Sequence, residues 1–138
     1  MIFIEFTVPG KPVPKQSFKA VGNGGKIHGY TPARVKKYQQ AVYYAAIEKL
    51  NEIGYHIETG MKYFVWYVFC MPDNRRVDND NLAKGTNDAL NGVIWKDDTE
   101  VGDMFLQKRI DKSNPCVIVR VWVYRPNEEI MIDVHWKK

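Results

Sequence analysis

The apolar run Tyr63–Met71 restricts the fold more than any other stretch of this chain. It is rich in β-branched and aromatic residues, and both of its alternation faces are apolar. Pro72 ends it, because a proline has no N–H to give to a ladder. A strand covered on both faces must be central in its sheet, or must bury one face in a second subunit. Every other element has to be arranged around it.

The periodicities on either side supply those elements. Ile2, Ile4, Phe6 and Val8 share one face of a first strand, which Pro9-Gly10 closes. Residues 11–30 read as a basic flexible loop. Pro12 and Pro14 keep its start irregular, Gly22, Gly24 and Gly25 loosen it, and Lys11, Lys15, Lys19 and Lys26 charge it. Thr31 as N-cap and Pro32 as first helical residue predict a helix start. Val35, Tyr38, Val42, Ala45, Ala46, Leu50 and Ile53 then recur at helical spacing as far as Gly54, a helix stop. Lys36 and Lys37 fall outside this stripe, while Tyr43 and Tyr44 read as partly buried amphipathic residues.

After the apolar run, Leu82, Thr86, Ala89, Leu90 and Val93 fall on one face of a second helix that Asn91-Gly92 ends. Met104–Ile110 and Pro115–Tyr124 read as an antiparallel pair joined through Asp111–Asn114. Residues 126–138 form a C-terminal extension, in which Ile130–Trp136 alternates like an edge strand. The expectation is a single α+β domain over residues 1–138, with a small mixed or mostly antiparallel sheet and two main helices.

Composition narrows the class. A hydrophobic share of 45% with 26% charged residues is that of a soluble globular protein, not a disordered one. The net charge of +4 and pI near 9.0 lean towards a polyanionic partner. Cys70 and Cys116 have neither disulfide-framework nor zinc spacing and read as core residues, so a reducing compartment is expected. With no membrane span and no charged leader, the expected location is the cytoplasm.

The chemistry lies in the segment Arg75–Lys84, completed by Lys96–Glu100. Asp78 and Asp80 stand where the strand gives way to the helix. In extended backbone, residues i and i+2 point to the same side, so both carboxylates can reach one point. Converging oxygen ligands suit a hard divalent cation such as Mg²⁺. With a helix starting near Asp80, Lys84 lies one turn along the same face. Asp97 and Asp98 return after the helix, and strand–helix–turn geometry could bring them to the same sheet edge. Local hydrogen bonding in caps and turns is the competing explanation for each acid taken alone.

The joint spacing is more specific than any of its parts. Met71-Pro72-Asp73-x-Arg75-Arg76-x-Asp78-x-Asp80-Asn81-Leu82-x-Lys84, then Asp88-Ala89-Leu90 and Trp95-x-Asp97-Asp98-x-x-Val101, resembles the RusA-type Holliday junction resolvases. These are small dimeric Mg²⁺-dependent endonucleases of bacteria and their phages that cut four-way DNA junctions. The resemblance implies that Asp78, Asp80 and Asp98 are the essential carboxylates and metal ligands, with Asp97 as the alternative third, and that Lys84 is the essential lysine. It also implies Mg²⁺ (with Mn²⁺ as substitute), a homodimer, a four-way or branched DNA partner, a role in recombination and repair, and phage or prophage origin. Given such a partner, Arg75, Arg76, Lys11, Lys15, Lys19, Lys26, Lys36 and Lys37 become candidate DNA contacts, with residues 11–30 as an arm on the phosphates. Asp88 and Asp103 read as spare acids. The rival readings are a nucleotide-sugar transferase, for which the chain is too short, and a branched-DNA-binding accessory of phage replication or packaging without nuclease activity.

Overall fold

Ile2–Pro9 forms β1, Lys19–Asn23 β2, Lys26–Tyr30 β3, Ala33–Ile53 α1, Lys62–Met71 β4, Asn79–Leu90 α2, Val101–Ile110 β5 and Cys116–Tyr124 β6, with a short 3₁₀ turn at Asp98–Glu100. The computed structural model describes residues 1–15, 19–23 and 26–132, and of residues 19–23 and 26–30 the backbone alone. The architecture is α+β: a four-stranded mixed sheet in the order β1-β6-β4-β5, and a separate β2-β3 pair.

β4 is central, as its two apolar faces require. It pairs antiparallel with β6 and parallel with β5. The alternate residues Tyr63, Val65, Tyr67, Phe69 and Met71 join Val35's helical neighbours Tyr38, Val42, Ala46 and Leu50, together with Leu82 and Leu90, in the main core. The other face, Trp66, Val68 and Cys70, packs with Cys116, Phe64, Phe105, Ile118 and Trp122. Arg120 lies over the Trp66 ring at 4.7 Å and gives a 2.7 Å hydrogen bond to Glu5. β4 is therefore buried within its own chain, and the surplus of apolar surface expected from Tyr63–Met71 is not on that strand. It is on the same side of the sheet at Phe3, which is 46% exposed and meets the Trp122 ring at a tilt of 41°, with centroids 4.7 Å apart.

The expected β5–β6 hairpin is not formed, because β4 lies between the two strands. α2 carries the chain from the end of β4 back to its beginning, so β5 runs parallel to β4, with Tyr63 opposite Val101 and Met71 opposite Ile110. A parallel neighbour needs such a crossover, whereas a short link serves only antiparallel strands. Asp111–Asn114 then passes over the end of β4, where the Asp111 N–H bonds the Met71 carbonyl at 2.8 Å.

Four further expectations change. Residues 11–30 contain the β2-β3 hairpin, with Asn23 opposite Lys26. The side chains of Lys19 and Lys26 lie outside the described residues. α1 begins one residue late: Pro32, with ψ 148, takes the cap position, and no side chain caps it, Thr31 included. Gly54 does end this helix, at φ 68 in the left-handed region that suits glycine. Tyr43 and Tyr44 are exposed, at 43% and 67%, and contact each other edge-on. Ile130 and Ile132 are outside any strand, and residues 133–136 of the expected edge strand lie outside the described residues.

Buried polar pairs fasten α2 in place. The Tyr67 hydroxyl donates to Asn87 Oδ1 at 2.7 Å. The Thr86 hydroxyl gives its one proton to the Leu82 carbonyl at 3.0 Å, so Tyr38 is the donor in its 2.9 Å contact with Thr86. Burial pushes the Tyr67 hydroxyl well above its ordinary pKa. Both cysteines are buried and free, as their place in the core requires.

Candidate active site

Pro72 stops β4, and residues 72–78 lead from its end to the start of α2. Within this loop Asp73 Oδ1 accepts the Arg75 N–H at 3.1 Å, an Asx-type turn. Asp78 then occupies the N-cap position of α2 with extended backbone, yet its side chain makes no capping hydrogen bond. The purely local explanation of Asp78 is thus unrealised. Asp80 stands in the first helical turn, so two carboxylates lie at the end of α2 where the unpaired N–H groups concentrate positive charge.

Both carboxylates line a groove with Val77, Asn79 and Lys108. A contiguous groove of about 410 Å³ adds Pro14, Arg76 and Asn81 around Asp78 and Lys108. Asn79 Oδ1 is buried and has no hydrogen-bond partner among the described residues. Two carboxylates beside an orphaned amide oxygen make an all-oxygen donor set, which fits a hard divalent cation better than a soft one. No three of the described His, Cys, Asp and Glu side chains lie close enough together to hold a metal ion.

The expected return of the second acidic pair to this place does not occur within one chain. Asp98 precedes Val101, which lies opposite the start of β4, whereas Asp78 follows the end of β4. The run of β5 from Val101 to Lys108 covers about 23 Å. The acids that act on Asp98 are Asp97 and Asp88; with burial as the leading cause, they hold its carboxyl above the usual range. Asp97 is used locally. Its Oδ1 accepts the Thr99 N–H at 2.9 Å, which lowers its pKa, and its own N–H donates to Glu100 Oε1 at 3.2 Å.

The basic candidates divide. Arg76 lines the groove. Arg75 is exposed and lies 3.5 Å from Asp73. Lys84 is exposed on α2, four residues beyond Asp80, and lines neither groove. Lys11, Lys36 and Lys37 are exposed. Lys15 is engaged: its Nζ meets Asp88 Oδ2 at 2.6 Å, and its N–H bonds the Asn81 carbonyl at 2.9 Å. Asp88, read as a spare acid, thereby ties the segment before β2 to α2. Gly85 allows the close approach, since a Cβ there would stand 3.3 Å from Lys15 Cβ and 3.4 Å from the Val13 carbonyl.

Sequence reasoning missed Lys108 and Asn79. The available signal for Lys108 was alternation: Leu106 joins the helix-side core, so Lys108 falls on that same face of β5.

The profile of one family, described as Endodeoxyribonuclease RusA, matches residues 9–122. The chain belongs to the RusA endodeoxyribonuclease family. Membership implies a nuclease that hydrolyses phosphodiester bonds, and a family that binds branched DNA. The family match takes in Asp78, Asp80, Lys84, Asp98 and Lys108, and stops short of residues 126–138. The chain is also similar to a Bacillus subtilis (strain 168) protein described as "Uncharacterized protein YqaN". The two are 29% identical over 122 residues, covering 76% of this chain and 86% of that protein. No described helix is long and apolar enough to cross a membrane.

Proposed function

We propose that this chain is a Mg²⁺-dependent endonuclease that resolves four-way DNA junctions by paired incision, working as a homodimer with residues 1–138 as one endonuclease domain. The observation that carries this reading is the groove at the start of α2. There a RusA-family chain presents Asp78 and Asp80 free of capping duty, beside the orphaned Asn79 oxygen and the cationic side chains of Arg76 and Lys108. A four-way junction has approximate two-fold symmetry, which a C₂ dimer with two grooves matches. The apolar surface around Phe3 and Trp122 offers a face for such pairing.

Asp78 and Asp80 would hold Mg²⁺, with Asn79 Oδ1 as a neutral oxygen at the same groove. Bound there, the ion supplies Lewis-acid polarisation of a phosphate oxygen and an acidified water. Arg76 grips a flanking phosphate through its planar fork. Lys84, one turn along α2 and outside both grooves within one chain, would stabilise charge developing on the oxygens of the pentavalent phosphate or help position the water. Asp98 keeps the role of third carboxylate. Within one chain it stands apart from the groove, so its convergence requires the second subunit or bound DNA. Arg75, Lys11, Lys36 and Lys37 contact the junction arms. We extend the proposal to a role in DNA recombination and repair, a phage or prophage origin and a cytoplasmic location.

The test is incubation of labelled four-way junction, linear duplex and single strand with the protein in Mg²⁺, Mn²⁺ or EDTA. Symmetric nicks in the junction alone, lost in EDTA, are expected. A junction that is bound yet intact in both metals would replace this reading with a branched-DNA-binding accessory. Light scattering should give twice the mass of the 16.0 kDa chain. A monomer mass with and without junction would remove the dimer.

A further inference from the structure

β5 is the edge strand beside β4, and Lys108 lies opposite Phe69 near the end where residues 72–78 enter α2. Its Nζ donates to the carbonyl of Val77, the residue before Asp78, at 2.7 Å. The same side chain lines both grooves that contain Asp78, and one of these contains Asp80. An ammonium has three hydrogens and no acceptor, so the bond to Val77 leaves two of them uncommitted. Among the described residues Lys108 forms no ion pair, although two carboxylates share its groove. A lysine whose task was to neutralise Asp78 or Asp80 would close onto one of them. Here a backbone carbonyl holds the ammonium instead, and the carboxylates and the ammonium remain separately available, one sign for a cation and the other for an anion.

We propose that Lys108 is a phosphate-binding residue of the Asp78–Asp80 groove, anchored by the Val77 carbonyl and presenting its remaining hydrogens to a nucleic-acid phosphodiester oxygen. The assignment deepens the endonuclease reading and rests on it for the identity of the bound anion. Two functions follow from one contact. Through Val77 the ammonium fixes the backbone leading into Asp78, and through its charge it sets the register of the phosphate against the two carboxylates. Lysine suits the place, because a compact charge on a long stem can serve a carbonyl and a phosphate together.

The two functions are separable by sign. Lys108→Met removes the charge and keeps an apolar stem, while Lys108→Arg keeps the charge. Junction and duplex binding are measured in EDTA over a range of salt, and Mn²⁺ binding to the free protein by electron paramagnetic resonance. Lys108→Met should lower the slope of log affinity against log salt by about one unit, the mark of one lost phosphate contact. It should also tighten Mn²⁺ about fivefold, since one positive charge disappears from the groove that the carboxylates line. Lys108→Arg should restore the wild-type slope. If Lys108→Met weakens Mn²⁺ and DNA together without changing the slope, Lys108 is a structural tether only and the proposal is overturned; an unchanged slope with unchanged Mn²⁺ affinity overturns it equally. Should Lys108→Met fail to fold, Lys108→Gln gives the same comparison with a donor kept for Val77. None of these readouts needs cleavage. A wild-type protein that binds junctions yet cuts nothing ends the endonuclease reading and leaves the Lys108 comparison decisive. One that binds no DNA ends both.

Discussion

Tyr67→Phe probes how the helix that carries Asp80 and Lys84 is held to the sheet. The side chain is fully buried in the middle of β4, and its hydroxyl donates to Asn87 Oδ1 at 2.7 Å. Asn87 is itself only 9% exposed, so removing the hydroxyl leaves an amide oxygen without a donor and with little access to water. A buried acceptor abandoned in this way costs about 1–3 kcal/mol. Unfolding entropy of about 2.1 cal/mol/K per residue, taken over 138 residues, converts that loss to a melting point lower by about 3–10 °C. Asn87→Leu should cost a similar amount, because it strands the Tyr67 hydroxyl instead. The double variant removes both polar groups and should recover most of the loss, giving a coupling energy of about 1–2 kcal/mol. Urea unfolding of the four proteins measures all three quantities. Additive losses in the double variant, or single losses within about 0.5 kcal/mol of zero, would refute the account of Tyr67 and Asn87 as a mutually dependent buried pair.

Other outcomes follow from the site and its surroundings. Asp78→Asn, Asp80→Asn and Asp98→Asn should each lower junction cleavage by orders of magnitude while binding in EDTA holds or rises, because each removes a charge that repels phosphates; Asp97→Asn and Asp88→Asn should keep substantial activity. An active Asp98→Asn beside a dead Asp97→Asn would move the third carboxylate by one residue. Lys84→Ala should abolish cutting and also cost affinity. Gly85→Leu should push the Val13–Lys15 segment off α2, lowering stability by about 1–3 kcal/mol and speeding limited proteolysis within residues 11–30. Burial pushes the Tyr38 hydroxyl up from 10.0 to about 12, against an opposing effect of its bond to Thr86. The folded state then keeps a proton that the unfolded state releases, so this contribution is whole below about pH 10 and disappears as pH rises to about 12. Urea unfolding at pH 8 and 11 should show the fall, and Tyr38→Phe should make it smaller by one tyrosine's share, since burial raises the Tyr67 and Tyr55 hydroxyls in the same direction.

Local information in the chain sufficed for much of this. The apolar run at Tyr63–Met71 had to be a strand covered on both faces, central in its sheet or closed by a second subunit, and the tertiary structure decided for the central position. Alternation located β1 and β6, and helical spacing with Gly54 as the stop located α1. The spacing of Asp78, Asp80, Lys84 and Asp98 carried the family, since such a pattern depends on chemistry repeated at fixed intervals along the chain. What alternation cannot encode is which edge of a strand meets which neighbour. β5 and β6 each read correctly as strands, yet their pairing was decided by α2, which returns the chain to the start of β4 and makes β5 parallel to it. That one topological fact also parts Asp98 from Asp78, because a parallel crossover leaves the end of one strand and the beginning of the next at opposite ends of the sheet. The same fact brings Lys108 up to Asp78 across a gap in sequence that no periodicity spans. Exposure of Tyr43 and Tyr44, pairing of Lys15 with Asp88, and the buried bond from Tyr67 to Asn87 were likewise settled only in three dimensions. Each depends on how much room a distant segment leaves, a quantity that packing alone determines.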